Sequence, residues 1–310
     1  MISESDTVAG RPDTIRAVPV RHPGRWVALA VIVVLAAMLV HMLLTNPNLE
    51  WAEVRKYLFA HIILRGVWMT IKLTILSMAI GIVLGIVAAV MRLSANPVVR
   101  GVAWLYVWFF RGTPLLVQIL AWFAISSLFK TLAFGIPFGP HFAGESTNKL
   151  ITLFISALLA LSLNEGAYMS EIVRAGIVSV DEGQTEAAHA LGMTKLQTMR
   201  RIVLPQAMRV IVPPTGNEIN SMLKSTSLVS TIGIFDLLRS AQAIYNANYK
   251  VIPLLIVAVI WYLAMTSILQ VGQFYLERHY GRGSTRTMAL TPLQKAKVLL
   301  SSVQGRGNQL

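Results

Sequence analysis

Cysteine is absent from all 310 residues, which excludes disulfides, thiolate metal sites and thiol chemistry and leaves the redox compartment unspecified. Charge is nearly as scarce. Asp, Glu, Lys and Arg together make up 13% of the chain, whereas soluble domains carry about 25%. Six histidines (His22, His41, His61, His141, His189 and His279) are scattered without metal-ligand spacing, so a structural role is favoured over a metal site. What the chain has instead is apolar length. Hydrophobic residues reach 55% and the mean hydropathy is +0.62, the composition of an integral membrane protein.

Apolar stretches run from about Trp26 to Leu44, Gly66 to Met91, Val102 to Phe129, Leu150 to Val173, Gln206 to Ile234 and Val251 to Tyr275. Each reaches or exceeds the roughly 20 helical residues that a hydrocarbon core of about 30 Å requires. The first is longer than the roughly 7 to 15 apolar residues of a secretory signal, and no small-x-small cleavage site follows Leu44. It therefore reads as a membrane helix.

A net charge of +13 could point to nucleic acid, so the placement of the bases matters more than their sum. Six spans put both termini on one side. If that side is the cytoplasm, 17 Lys and Arg lie inside and 6 outside, with Arg65, Lys72, Arg111 and Lys224 within or at the ends of spans. That bias places both termini inside and accounts for most of the basic excess as an orientation signal.

The implied organisation is a disordered cytoplasmic tail over 1–24, an amino-terminal transmembrane helix over 25–45, an outer interfacial segment over 46–61, a transmembrane domain over 62–278 and a basic cytoplasmic tail over 279–310. Trp51, Tyr57 and Phe59 mixed with Glu50, Glu53, Arg55 and Lys56 suit a short helix in the outer interface. The outer loop Lys130 to Lys149, with Pro137, Pro140 and three glycines, favours turns over regular structure. External loops this short cannot form a substrate-capturing domain.

One polar, basic stretch lies between spans on the cytoplasmic side, over 181–205. Asp181 with Gln184 has the spacing of a reciprocal helix cap, predicting a helix from about Glu182 to Leu191. Gly192 supplies the left-handed closing residue, and Thr194 with Gln197 opens a second helix that should end near Leu204, before Pro205. Ala187, Ala188, Ala190 and Leu191 form a small-residue surface, while Leu196, Met199 and Val203 recur on one face of the second helix. Such faces suit a soluble partner that receives a helix in a groove, or they simply cap the bundle. A helix, a glycine turn and a basic helix also match a DNA-binding helix-turn-helix. Here a duplex would have to lie against the anionic inner leaflet, so no nucleic acid is expected.

The run Glu186-Ala187-Ala188-x3-Gly192-x9-Ile202-x-Leu204-Pro205 resembles the EAA loop of the permease subunits of ABC importers. Further segments resemble the histidine/glutamine type of permease: Arg111 through Thr113 and Pro114 to Gln118, Gly166 to Arg174, and Pro213 through Asn217 to Lys224 and Leu228. The match runs in order over roughly 62 to 278. The resemblance implies an all-α polytopic membrane bundle, a five-span type I permease core plus the one extra amino-terminal span. It implies a subunit that translocates a polar amino acid across a bacterial inner membrane, paired with a second permease as homo- or heterodimer and served by an external solute-binding protein. An ABC ATPase dimer, which would hold ATP and Mg, receives Glu186, Ala187, Ala188, Gly192, Ile202, Leu204 and Pro205 at the coupling interface. The chain has no Walker-type glycine loop with its Lys, so no cofactor is expected on it and it is not itself an enzyme. In two respects it departs from the family pattern: Ser225 stands where Asp commonly precedes Thr-Ser-Leu, which removes a charged partner for Lys224, and the first span is additional.

Charges in hydrocarbon cost several kcal/mol and usually face a bundle interior or an aqueous cavity. Ser162 and Glu165 share a helical face in the fourth span. Glu165 is either a counter-charge for the α-ammonium of an amino acid or half of an ion pair with Arg111 or Lys224. Glu171 and Arg174, nearer the cytoplasm, favour a structural pair. Around Thr113, Gly112 and Pro114 break helix hydrogen bonding within the third span, as Pro213 and Pro214 do in the fifth beside Asn217. Each break reads as a packing kink or a gate beside the pathway. Other readings are the same architecture importing an opine, cystine or another small polar nitrogen compound, or an ion-coupled carrier or channel. The absence of an evident inverted repeat, and an EAA element left without purpose, speak against a carrier.

Overall fold

The computed structural model describes residues 23–135 and 141–280. The tails expected over 1–24 and 279–310 lie outside them, apart from Pro23 and Gly24 and from His279 and Tyr280, which belong to helices. The chain divides into an amino-terminal unit ending at Glu50 and a body beginning at Trp51. In the first unit α1 (Pro23–Thr45) is apolar throughout and exposed. A short 3-10 turn, Pro47–Leu49, follows, capped by the Asn46 side chain.

The body opens with α2 (Trp51–Leu58), where Lys56 pairs with Glu53 at 3.2 Å on the exposed face. Next come α3 (His61–Arg92), α4 (Pro97–Gly112) and α5 (Leu115–Leu128). Asn96 starts α4 by accepting the Val98 amide at 2.9 Å, with Pro97 in the first turn where no amide is needed. Beyond α5 the chain forms β1 (Thr131–Gly135), β2 (His141–Ser146) and α6 (Thr147–Leu150), then α7 (Leu153–Val178). The loop over 181–205 supplies α8 (Glu182–Ala190) and α9 (Lys195–Thr198), and a π-helical turn over Met199–Val203 leads into α10 (Leu204–Ser225). A 3-10 segment, Thr226–Ile232, precedes α11 (Leu237–Asn248) and α12 (Val251–Tyr280).

Among the described residues, four helices are long and apolar enough to cross a membrane, and a fifth is added if the bent pair α4 and α5 counts as one span. The third apolar stretch is therefore not one kinked helix. Its halves meet at 106°, because neither Gly112 nor Pro114 supports a continuous ladder across Thr113. With 22 residues α10 is long enough to span, at about 33 Å. Gln206, Arg209, Asn217, Glu218, Asn220 and Lys224 make it less apolar than those four.

Two further expectations change. The outer loop contains a hairpin, with Thr131 opposite Ser146 and Leu132 opposite Glu145. Pro137 and Pro140 lie outside the described residues. The second cytoplasmic helix does not stop near Leu204. Pro205 cannot donate, and the backbone stays helical by widening, the Leu204 amide reaching the Met199 carbonyl. Val203 is buried rather than on an open face.

Packing centres on α7, flanked by α3, α4, α5 and α10. Small residues set how close α3 and α7 come. A Cβ on Gly81 would lie 2.6 Å from Glu165 Cγ, one on Gly85 would strike Met169, and one on Gly166 would lie 2.5 Å from the Tyr106 hydroxyl. Close approach of this kind is how helices gain van der Waals contact in lipid, where no hydrophobic force distinguishes neighbour from solvent. Elsewhere in the body, Asp236 caps α11 through the Arg239 and Leu238 amides at 2.9 and 3.2 Å, and Thr70 of α3 accepts the Leu237 amide at 3.2 Å. Replacing Gly85 by Val is expected to separate α3 from α7 and to cost about 1 to 3 kcal/mol. Thermal unfolding of the purified protein checks this, and an unchanged midpoint would show that the seam can relax.

Candidate functional site

Two groups of residues are candidates for function. The first is the loop over 181–205. Asp181 starts α8 by accepting the Gly183 amide at 2.8 Å, while Thr194 and Gln197 form a complete capping box on α9. Between them the Gly192 and Met193 amides return to the His189 and Ala188 carbonyls at 2.9 and 3.1 Å. Gly192 has φ +76°, the left-handed value that closes a helix in this way. The turn leaves Glu186, Ala187 and Gly192 exposed and Ala188 buried. Leu191 and Leu196 stand out at 83% and 67% exposed. Ile202 is half-buried, while Leu204 and Pro205 lie exposed at the start of α10. The loop therefore presents two large apolar side chains around a tight turn, with a cleft of about 380 Å³ behind it bounded by Glu182, His189, Lys195 and Met199.

The second group lies on α7 where the α4–α5 break meets it. Glu165 is 3% exposed, and among the described residues its Oε1 and the Ser162 hydroxyl find no hydrogen-bond partner. Buried polar atoms without partners are rare and mark functional or hydrated positions. The break itself is satisfied from the side. The Gln118 amide donates to the Phe110 carbonyl at 2.9 Å and to the Thr113 carbonyl and hydroxyl at 3.1 and 2.8 Å, and Asn164 of α7 donates to Phe110 at 2.9 Å and to Gln118 at 3.3 Å. Pro114 occupies the cap position of α5. Thr113 and Pro114 thus sit in a polar junction that Gln118 and Asn164 hold rigid. Asn164 was identifiable as an intramembrane polar residue; Gln118 was quoted only as the end of a motif, because its role depends on a bend the sequence does not specify.

Arg111 does not reach Glu165. It stacks over Tyr168 at 5.2 Å and lies 3.7 Å from Glu171, whose carboxylate also pairs with Arg92 and, at 3.0 Å, with Arg174. Lys224 is exposed at the end of α10 and belongs to none of the ion pairs among the described residues. The ion-pair account of Glu165 therefore lacks both of its expected bases. Asn217 is also apart from this group, accepting instead from Gln273 of α12 at 3.1 Å. Among the described residues no cluster of three His, Asp or Glu side chains forms a metal site.

The family model for the inner membrane component of binding-protein-dependent transport systems matches residues 81–282. The chain belongs to this family. This permease is 50% identical to the arginine transport system permease protein ArgU of Corynebacterium glutamicum over 91% of its length and 88% of the relative's. It is 41% identical to the L-cystine transport system permease protein TcyB of Bacillus subtilis, over 70% and 86% of the two chains. Among solved structures it resembles an amino acid ABC transporter crystallised with histidines, with 37% identity, a TM-score of 0.62 and coverage of 74% of this permease and 98% of that chain. The all-α type I permease fold follows. The permease is a multi-pass transport subunit of the inner membrane, not an enzyme, working with a separate ATPase and a solute-binding protein.

A substitution at the loop turn separates docking from folding. Gly192→Asp, which strains the left-handed turn and adds charge between Leu191 and Leu196, should leave membrane insertion intact and abolish recovery of the ATPase in pull-downs. Gly192→Asn, which tolerates that conformation better, should retain part of it. Unaltered co-purification of the Asp variant would refute the docking role.

Proposed function

We propose that this permease carries a polar amino acid across the inner membrane, with Glu165 supplying the counter-charge for a cationic group of the substrate. The observation that carries the proposal is the buried Glu165 carboxylate in the α3–α7 seam, while the nearby Arg111 is engaged by Tyr168 and Glu171. A buried carboxylate without a basic partner is costly, and an α-ammonium or guanidinium passing beside it would relieve that cost. Ser162 lies one turn away, and Thr113, Pro114 and Arg111 bound the neighbouring break. Asn217 and Lys224 take part only if α10 moves toward that group.

The relatives' names support an amino-acid cargo, arginine in the one with half its residues identical. The same names include cystine and nopaline, so a related nitrogen compound is the second reading. Two permeases, identical or not, flank the pathway. Each offers Glu186, Ala187, Ala188, Gly192, Ile202, Leu204 and Pro205 to an ATPase groove, and both termini of the chain face the cytoplasm, as the distribution of Lys and Arg favours.

In vesicles containing the assembled transporter, uptake should require both ATP and the binding protein; uptake persisting without either would overturn the importer reading. Glu165→Gln keeps the volume and removes the charge. It should lower uptake about tenfold or more while the complex still assembles, and normal uptake would assign Glu165 to packing alone.

A further inference from the structure

One polar contact in the body is served by neither group above. Gln273 lies on α12 opposite the middle of α10, where Pro213 and Pro214 interrupt the helix interior. Those prolines leave the Arg209 and Val210 carbonyls without their usual helical donors and make this the softest point of α10. The Gln273 side-chain amide donates toward three acceptors: the Pro213 carbonyl at 3.4 Å, Asn217 Oδ1 at 3.1 Å and Glu277 Oε1 at 2.8 Å. Its own carbonyl accepts from Asn220 at 3.1 Å. Pro213, Asn217 and Asn220 recur at helical spacing, so they form one stripe down α10 facing one side chain of α12. Gly216 makes the approach possible, since a Cβ there would lie 2.6 Å from Gln273 Cγ and Cδ.

The stoichiometry of this contact is uneven. An amide NH2 has two protons, and three acceptors compete for them. As the two halves of α10 pivot about the prolines, the amide can release one acceptor and keep another, so α12 stays tied to α10 without a rigid bond.

We propose that Gln273 is a positioning residue for transport, a sliding tie that makes α12 follow the hinge of α10 when the cytoplasmic loop moves. This rests on the importer reading. In the chain's order the motion enters at α8 and α9, passes the π-helical turn into α10, and is handed to α12 at Gln273.

The test uses the full transporter, permease with its ATPase and binding protein, in liposomes. Gln273→Met keeps length and volume but removes the amide. It should assemble and hydrolyse ATP at the wild-type basal rate, while amino acid taken up per ATP falls about fivefold. Asn220→Ala should show a smaller loss, and the double variant should be no worse than Gln273→Met alone, because both remove one contact. Wild-type uptake per ATP in Gln273→Met would overturn the proposal. So would failure of that variant to assemble, or a proportional fall in basal hydrolysis, since either shows an ordinary packing role. Failure of the wild-type transporter itself to take up amino acids would instead count against the importer reading.

Discussion

The buried acid of this bundle depends on how closely α3 and α7 approach. Lipid tails compete with side chains for every apolar contact, so a helix pair in a membrane gains most where small residues let backbones come near. Gly81, Gly85 and Gly166 provide that approach. The same seam then accommodates an acid. Glu165 Cγ occupies the space a side chain at Gly81 would fill, so the glycine that tightens the packing also creates the slot for the carboxylate. Position and burial of the charge are consequences of the packing, and the permease cannot lose the seam without losing the charged site.

The second constraint is that a broken helix in hydrocarbon must find donors and acceptors from neighbours. At the α4–α5 corner Gln118 and Asn164 meet that need, and both are buried for it. At the middle of α10 the tie comes from α12 through Gln273, half-buried and shared among competing acceptors. The contrast is physical. At the corner two amides from different helices, Gln118 of α5 and Asn164 of α7, converge on the break and on each other, whereas at the middle of α10 a single amide is divided among three acceptors.

The loop was legible because its determinants are local. A left-handed residue at Gly192 and a cap at Thr194 with Gln197 are set by chemistry within a few residues, and periodic apolarity located the long helices for the same reason. The bend between α4 and α5 was legible only as a break. Gly112 and Pro114 remove the ladder but leave the angle open, and at the observed 106° the freed Phe110 carbonyl meets Asn164 of α7. The partner of Arg111 was out of reach in principle, since Glu165 and Glu171 lie six positions apart on one helix and only the path of α4 decides between them. Family motifs located Arg111, Thr113 and Pro114 but said nothing of Gln273, whose partners on α10 are more than fifty residues away.

The continuation of the loop into α10 gives the cytoplasmic face mechanical access to the membrane interior. A helix that ended at Leu204, as a proline there would ordinarily suggest, would let the loop swing without moving the span. Widening into a π-helical turn over Met199–Val203 avoids the missing amide of Pro205 and keeps the backbone helical from α9 into α10. Ala207, buried in this stretch, packs its first turns against α7, with Ile211 filling the notch at Gly176. A displacement of α9 is therefore passed along α10 as far as the next weak point, which is the pair Pro213–Pro214. Placing the weak point there, one turn before Asn217 and Glu218, lets the half of α10 carrying these polar residues change its angle to the half joined to the loop. Under the coupling role proposed for the loop, that hinge is where its motion would reach polar groups deep in the membrane.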